Sequence, residues 1–188
     1  MCFSIYNFVG DRGMELKGKK VLILVEDDYE DLEGWYPKLR LIEAGAEVVV
    51  AGPEKKVYHG KNGGYPMEAD RRVDEINWRD FDAVIIPGGY APDRLRRYDS
   101  VLKVVKAMSD AGRVVAPICH GAWVPISAGV VKGKKMTCYY AIRDDLVNAG
   151  AVYEDKVVVV DGNMISSRCP SDLPEFLKAI ISRLKGSF

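Results

Sequence analysis

The sequence predicts a single-domain α/β protein whose mostly parallel, doubly wound sheet is flanked by helices. Its apolar runs, such as residues 21–25 and 83–86, are continuous, as in strands that are buried on both faces. Segments with helical periodicity alternate with these runs along the chain. This alternation is typical of parallel strands joined by crossover helices. A length of 188 residues suits one domain with a substantial core.

The elements follow from apolar runs, helix caps and turn residues. Strands are predicted at residues 21–25, 47–51, 83–86, 114–118, 135–139, 157–160 and 164–167, with room for a hairpin at 56–58 and 65–67. Helices are predicted at residues 32–44, 100–111 (capped by Asp99 or Ser100), from His120 or Gly121 to 128, and from a cap at Ser171 or Asp172 to 184. Glycines at 10, 13 and 18 break the periodicity before this pattern begins. We therefore expect residues 1–18 to be an extension and residues 19–188 to form the domain.

Charge and hydropathy exclude several classes of protein. Lys plus Arg equals Asp plus Glu, at 27 each, so there is no basic excess of the kind that nucleic-acid binders show. The Arg pairs at 71–72 and 96–97 are flanked by acids and indicate solvated surface. No apolar run reaches the roughly 18 residues of a membrane-spanning helix. The N-terminus lacks the basic region of a signal peptide, so we expect a cytoplasmic protein with no membrane partner.

Four cysteines, at positions 2, 119, 138 and 169, match no Cys-x-x-Cys metal or redox spacing. In a reducing compartment they are expected to be free thiols. Nothing in the sequence indicates a metal, a nucleotide cofactor or a glycine-rich phosphate loop. The question is therefore which thiol, if any, is reactive.

Cys119 is singled out because it follows a buried strand and precedes a helix. Ligands of such sheets bind at the carboxyl ends of the strands. The unpaired N–H groups of a helix N-terminus favour a thiolate, and such surroundings can lower a cysteine pKa to roughly 3.5–7.5. His120 can exchange a proton, and Gly121 has no side chain to obstruct approach. The alternative is a buried, inert cysteine that packs as a small hydrophobe.

Ala116-Pro117-Ile118-Cys119-His120-Gly121 resembles the elbow of the PfpI-type intracellular proteases. These proteins belong to the DJ-one/PfpI superfamily and are related in fold to class I glutamine amidotransferases. The likeness covers roughly residues 20–185. Its other motifs are Tyr29-Glu30-Asp31 with Tyr36-Pro37 and Arg40-Leu41, Phe81-Asp82-Ala83 through Pro87-Gly88-Gly89, Ala91-Pro92-Asp93, Ser127-Ala128-Gly129-Val130, Asp144-Asp145-Leu146, Asn148-Ala149-Gly150, Val160-Asp161-Gly162-Asn163 and Ser166-Ser167-Arg168. The resemblance implies a flavodoxin-like sheet with a nucleophile elbow after a central strand.

The resemblance also implies partners for Cys119. Glu30 falls where the family has a glutamate that points at the sulfur and carries a proton; the alternative is that Glu30 is one more acid of an acidic run. Gly88 and Gly89 fall at the family's oxyanion loop, where the amides of Gly89 and His120 would bind an oxyanion. The alternative there is an ordinary Gly-Gly turn.

Asp93 departs from the pattern, because the family usually has a glutamate there that orients the histidine from a neighbouring subunit. If Asp93 keeps that role, the active unit is a homo-oligomer, a dimer or a hexamer. If it does not, His120 can point away from the sulfur. Trp123 either lines the pocket or packs in an interface, and Tyr90 either contacts substrate or a neighbouring subunit.

The implied activity is that of a cysteine hydrolase without a cofactor. Its substrate would be a small carbonyl compound or a glycated protein or peptide, and we favour deglycase or glyoxalase chemistry over true peptide hydrolysis. The alternative is a redox-responsive stress-protective protein, or a chaperone, in which Cys119 is oxidised without turnover.

Overall fold

A seven-stranded sheet forms the centre of the molecule in the computed structural model, which describes residues 14–186. Its strands lie in the order β10-β11-β7-β6-β1-β2-β5, and every neighbouring pair is parallel except β10–β11. The strands are β1 Lys20–Leu24, β2 Glu47–Gly52, β3 Val57–His59, β4 Pro66–Glu68, β5 Arg71–Arg72, β6 Ala83–Ile86, β7 Val114–Pro117, β8 Lys135–Met136, β9 Val152–Tyr153, β10 Val158–Asp161 and β11 Met164–Ser167. Strands β3 and β4 form a separate hairpin, and β8 pairs with β9.

Helices cover both faces of the sheet. They are α1 Asp31–Glu43, α2 Ala91–Leu95, α3 Asp99–Asp110, α4 Trp123–Ser127, α5 Arg143–Asn148 and α6 Leu173–Leu184. Alternate residues of β1 serve opposite faces: Val21 and Ile23 pack with α1 and α6, whereas Leu22 and Leu24 pack with α3 and α4. Between residues 14 and 186, none of the helices has both the length and the apolar character needed to traverse a bilayer.

The predicted fold class is confirmed, and the differences are local. The strand predicted at 135–139 ends at Met136, because the chain then turns and the Tyr139 amide donates to the Cys119 carbonyl over 3.3 Å. Helix α3 has Tyr98 at its N-cap, so neither Asp99 nor Ser100 caps it. Asp172 does occupy the N-cap of α6, but its carboxylate binds Arg168 instead of capping.

The packed part of the chain begins before residue 19. Leu16 is fully buried, and its amide donates to the Ala44 carbonyl over 2.8 Å. Residues 14–18 therefore lie against the turn between α1 and β2. Residues 1–13 of the extension predicted for 1–18 fall outside the described part of the chain.

Candidate active site

Cys119 lies at a sharp turn between β7 and α4. Its backbone adopts φ of 59°, a conformation that is uncommon for any residue with a side chain. A short 3₁₀ turn, Cys119–Ala122, then leads into α4. The turn holds the sulfur at the carboxyl edge of the sheet, next to the end of β6, as the predicted elbow requires.

Gly121 serves the packing of this elbow. A Cβ atom at position 121 would overlap the carbonyl oxygen of Ile86, at the end of β6. The Gly121 amide donates to the Ile118 carbonyl over 2.8 Å. Its lack of a side chain lets the elbow lie against β6. That Gly121 also leaves the approach to the sulfur open stays a prediction.

Replacing Gly121 with alanine is expected to lower the free energy of unfolding by about 1–3 kcal/mol, the usual cost of overpacking a tight site. The added methyl group must displace either the Ile86 backbone or the elbow. Urea denaturation monitored by circular dichroism measures the change. An unchanged unfolding midpoint would contradict this account of the elbow.

The carboxyl that faces the sulfur belongs to Glu33, not to Glu30 as we predicted. Glu33 is fully buried in the first turn of α1, and its Oε2 accepts a hydrogen bond from the Gly88 amide over 2.7 Å. Its interaction with the Cys119 thiol acts on the Glu33 pKa. A Cβ atom at Gly88 would lie 2.7 Å from Glu33 Oε2 and 3.0 Å from Cys119 Sγ, so only glycine leaves room for both groups. Glu30 lies one turn earlier and pairs with Lys61.

Burial raises the pKa of both members of this pair. It raises the pKa of Glu33 to about 8, although the Gly88 amide acts against the rise. The pKa of the Cys119 thiol is also raised, first by burial and then by the charge of Glu33. Only 8% of Cys119 is exposed. The structure thus corrects the expectation of a lowered thiol pKa: near neutral pH both groups keep their protons, and Glu33 loses its proton first.

Two backbone amides converge on the sulfur. The N–H groups of His120 and Gly89 both act on Cys119 to lower the pKa of its thiol. Gly89 adopts φ of 77°, and a side chain there would overlap the Asp28 carbonyl. These are the two amides predicted for the oxyanion loop. The Gly88-Gly89 turn is therefore not an ordinary turn, because it places a backbone amide next to the thiol.

The His120 ring lies beside the sulfur, with Nδ1 3.3 Å from Cys119 Sγ. Trp123 and Tyr139 hold the ring from two sides, each with its centroid 5.0 Å away. Burial lowers the pKa of His120, so the imidazole is neutral at pH 7. Trp123 is itself fixed by a 2.8 Å hydrogen bond to Asp145. Trp123 thus contacts the His120 ring, and its roles in lining the pocket or packing in an interface stay predictions.

Asp93 and Tyr90 do not contact the thiol group within the single chain. Asp93 pairs with Arg97, one helical turn further on. Tyr90 is 69% exposed, and its amide donates to the Asp28 carbonyl over 2.8 Å. A contribution of Asp93 to His120 of a neighbouring subunit therefore stays a prediction.

Sequence reasoning missed three residues of the site. Glu33 carries a signal, since it occupies the buried face of α1 together with Pro37 and Leu41, at a spacing of four residues. Lys61 lies in the loop between β3 and β4, and its charge acts on Cys119 and Glu33. The Lys61 position depends on a tertiary fold-back that no local pattern shows. Tyr139 is the third residue.

Together, these features define an α/β protein with a cysteine at a nucleophile elbow, a buried glutamate beside it and two converging amides. The family model described as the DJ-1/PfpI family matches residues 19–183. The chain therefore belongs to the DJ-1/PfpI family.

Individual relatives agree with this assignment. "Deglycase PfpI" of Pyrococcus furiosus is 46% identical over 166 residues, which are 88% of this chain and 99% of the relative. "Putative cysteine protease YraA" of Bacillus subtilis is 40% identical over 171 residues, 89% of this chain and 99% of the relative. A solved two-domain protein of Anabaena variabilis, with dj-1/thij/pfpi-like and ferritin-like domains, superposes with a TM-score of 0.87 at 46% identity. That match covers 88% of this chain and 48% of the other.

Proposed function

We propose that this chain is a cysteine-dependent hydrolase of the deglycase type, which acts on small carbonyl adducts of amino groups. The observation that carries the proposal is the convergence of the Glu33 carboxyl and the amides of Gly89 and His120 on one sulfur. The name of the P. furiosus relative, a deglycase, supports this reaction class. The name of the B. subtilis relative supports the broader class of cysteine hydrolases.

In the proposed reaction, Glu33 is the base that activates the thiol. Its carboxylate, the minor form near neutral pH and the main form above pH about 8, takes the Cys119 proton as the sulfur attacks the carbon of the adduct that bears the nitrogen and a hydroxyl group. The C–N bond breaks as the C–S bond forms, protonated Glu33 gives its proton to the departing nitrogen, and the amides of Gly89 and His120 stabilise the oxygen on the attacked carbon. Transfer of a hydrogen from this carbon to the neighbouring carbonyl carbon, and of the hydroxyl proton to the neighbouring oxygen, turns the thiohemiacetal into a 2-hydroxy thioester. Water then hydrolyses the thioester to a carboxylic acid and restores the thiol.

His120 has a second place in this proposal. As a neutral imidazole 3.3 Å from the sulfur, it can accept a proton from the attacking water. An acid that orients the ring would complete the arrangement. We propose that Asp93 of a neighbouring subunit supplies it, in a homo-oligomer, and that its carboxylate is shared between Arg97 and the imidazole.

The experiment that tests the proposal compares three substrates on one enzyme preparation. We expect release of the free amine from a methylglyoxal adduct of Nα-acetyllysine, followed by NMR. Free methylglyoxal tests glyoxalase chemistry, and a fluorogenic peptide tests peptide hydrolysis. Faster turnover of either alternative than of the adduct would overturn the deglycase assignment and retain only a cysteine hydrolase.

A purely redox role has weaker support. It was predicted for an exposed thiol of low pKa, whereas Cys119 is buried and burial raises its pKa. Thiolate character and exposure govern oxidation by peroxide.

A further inference from the structure

Lys61 pairs with Glu30 at the start of α1, close to the site. The reaction described above does not use this cation. It lies in the loop between β3 and β4, which is folded around the Asp31 carboxylate. Side chains at Gly60 or Gly64 would overlap that carboxylate, and the Tyr65 amide donates to Asp31 Oδ1 over 2.5 Å. The Lys61 amide donates to the Tyr29 carbonyl over 2.9 Å. The backbone at position 61 is therefore fixed against the start of α1.

The present partner of the Lys61 ammonium group is the Glu30 carboxylate. Glu30 adjoins the oxyanion loop, since its amide donates to the Gly88 carbonyl over 3.1 Å. The Lys61 side chain is 41% exposed, against 15% for Glu30. Lys61 can thus change partner by side-chain rotation, while Glu30 stays in place beside the loop that holds the sulfur.

The charges around Cys119 favour the binding of an anion next to Lys61. Lys61 is near enough for its charge to act on Cys119, Glu33 and His120. Burial keeps Glu33 protonated near neutral pH, and His120 is neutral. Glu30 is then the carboxylate that pairs with Lys61, whereas the nearby Asp31 carboxylate accepts a hydrogen bond from the Tyr65 amide. A ligand carboxylate of similar geometry can share or replace this partner.

We propose that Lys61 is a carboxylate-binding residue of the active site and that Glu30 competes for it. This inference extends the proposed function: the preferred substrates would be carbonyl compounds or adducts that bear a carboxylate near the reacting carbon. Carboxylate is the favoured anion because the group that already occupies Lys61 is a carboxylate.

Alkylation of Cys119 tests the proposal without requiring turnover. Iodoacetate and iodoacetamide have similar size and the same reacting carbon, but only iodoacetate carries a carboxylate. Their rates at Cys119 are measured by mass spectrometry of the peptide, and the ratio cancels changes in the thiolate fraction. In Lys61→Met the ratio of iodoacetate to iodoacetamide should fall about fivefold, as expected for one charge in partly hydrated surroundings. In Glu30→Gln, which frees Lys61, the ratio should rise.

Lys56→Met is the matched control. Lys56 lies just before β3, pairs with Asp27 at 3.1 Å and is exposed to a similar degree. Its replacement should leave the ratio unchanged. Equal loss of both rates in Lys61→Met would mean that Lys61 only stabilises the thiolate, and this would overturn the carboxylate site.

A pair of aldehydes extends the test to substrates. Glyoxylate and glyoxal differ by the carboxylate, and glyoxylate should protect Cys119 from iodoacetamide at lower concentration in the wild type but not in Lys61→Met. Equal protection by both aldehydes would contradict the proposal. If the enzyme does not turn over the adduct but the ratio of iodoacetate to iodoacetamide alkylation changes as expected, the result would count against the proposed function alone.

Discussion

Replacing Cys119 with serine is expected to reduce adduct hydrolysis by at least about a thousandfold, the scale on which nucleophile removal acts in hydrolases. Serine preserves the size and the elbow conformation. Its hydroxyl is far less acidic than a thiol, and the buried Glu33 carboxylate is too weak a base to activate it. The measurement is release of amine from the methylglyoxal adduct under single-turnover conditions, with circular dichroism to verify the fold.

Cys169→Ser is the matched control for this experiment. Cys169 is partly exposed, with Sγ 3.1 Å from Ser171 Oγ, and it lies at the start of the segment that leads to α6. Its replacement should leave hydrolysis within about twofold, as for most surface changes away from a site. Full activity in Cys119→Ser would remove the nucleophile from the proposal and leave the elbow without a chemical role.

The central sheet could be predicted because its strands are buried on both faces. Strands β1, β6 and β7 consist of uninterrupted apolar residues, and the predicted bounds differ from the observed ones by a residue or less at most ends. Their order along the chain also predicted that Gly89 and Cys119 meet at one edge. The position of the elbow could be predicted for the same reason, since it depends only on where a buried strand ends.

Short elements and tertiary contacts could not be predicted in this way. Helices α2 and α5 span five and six residues, too few for an amphipathic pattern to repeat. The edge strand β5 consists of two exposed arginines, whose composition indicates surface rather than a strand. The contact of Lys61 with Glu30 joins a hairpin loop to the start of a helix, and nothing local encodes that approach.

The choice between Glu30 and Glu33 shows how helix register decides a site residue. Glu30 occupies the N-cap of α1, where the chain is still extended and the side chain turns toward Lys61. Glu33 lies one turn into the helix, on the face buried with Pro37 and Leu41. An acid in the apolar stripe of an amphipathic helix is costly unless a partner faces it. An acid at such a position therefore indicates a site residue. The acidic run before the helix made this position harder to recognise in the sequence.

Replacing Glu33 with glutamine is therefore expected to lower adduct hydrolysis by about 10²–10⁴-fold, the usual contribution of a general base. Glutamine can still accept the Gly88 hydrogen bond, but it cannot take the thiol proton. In the wild type, alkylation of Cys119 by iodoacetamide should rise as pH increases through about 8, where Glu33 loses its proton. This step should be absent in Glu33→Gln. Glu43→Gln, an exposed change at the end of the same helix, should keep both the step and the activity.

The same substitution should alter stability in a pH-dependent way that a purely structural role would not produce. The pKa of Glu33 is raised from 4.5 to about 8 on folding, so the native state holds a proton that the unfolded chain has released between these pH values. Stability from this group is complete below pH 4.5 and is lost as pH rises through about 8. Glutamine has no proton to lose, so the advantage of Glu33→Gln in urea unfolding should grow from pH 5 to pH 8. A constant difference across this range would show that folding leaves the pKa of Glu33 near its unfolded value, and it would contradict a protonated Glu33 in the native site.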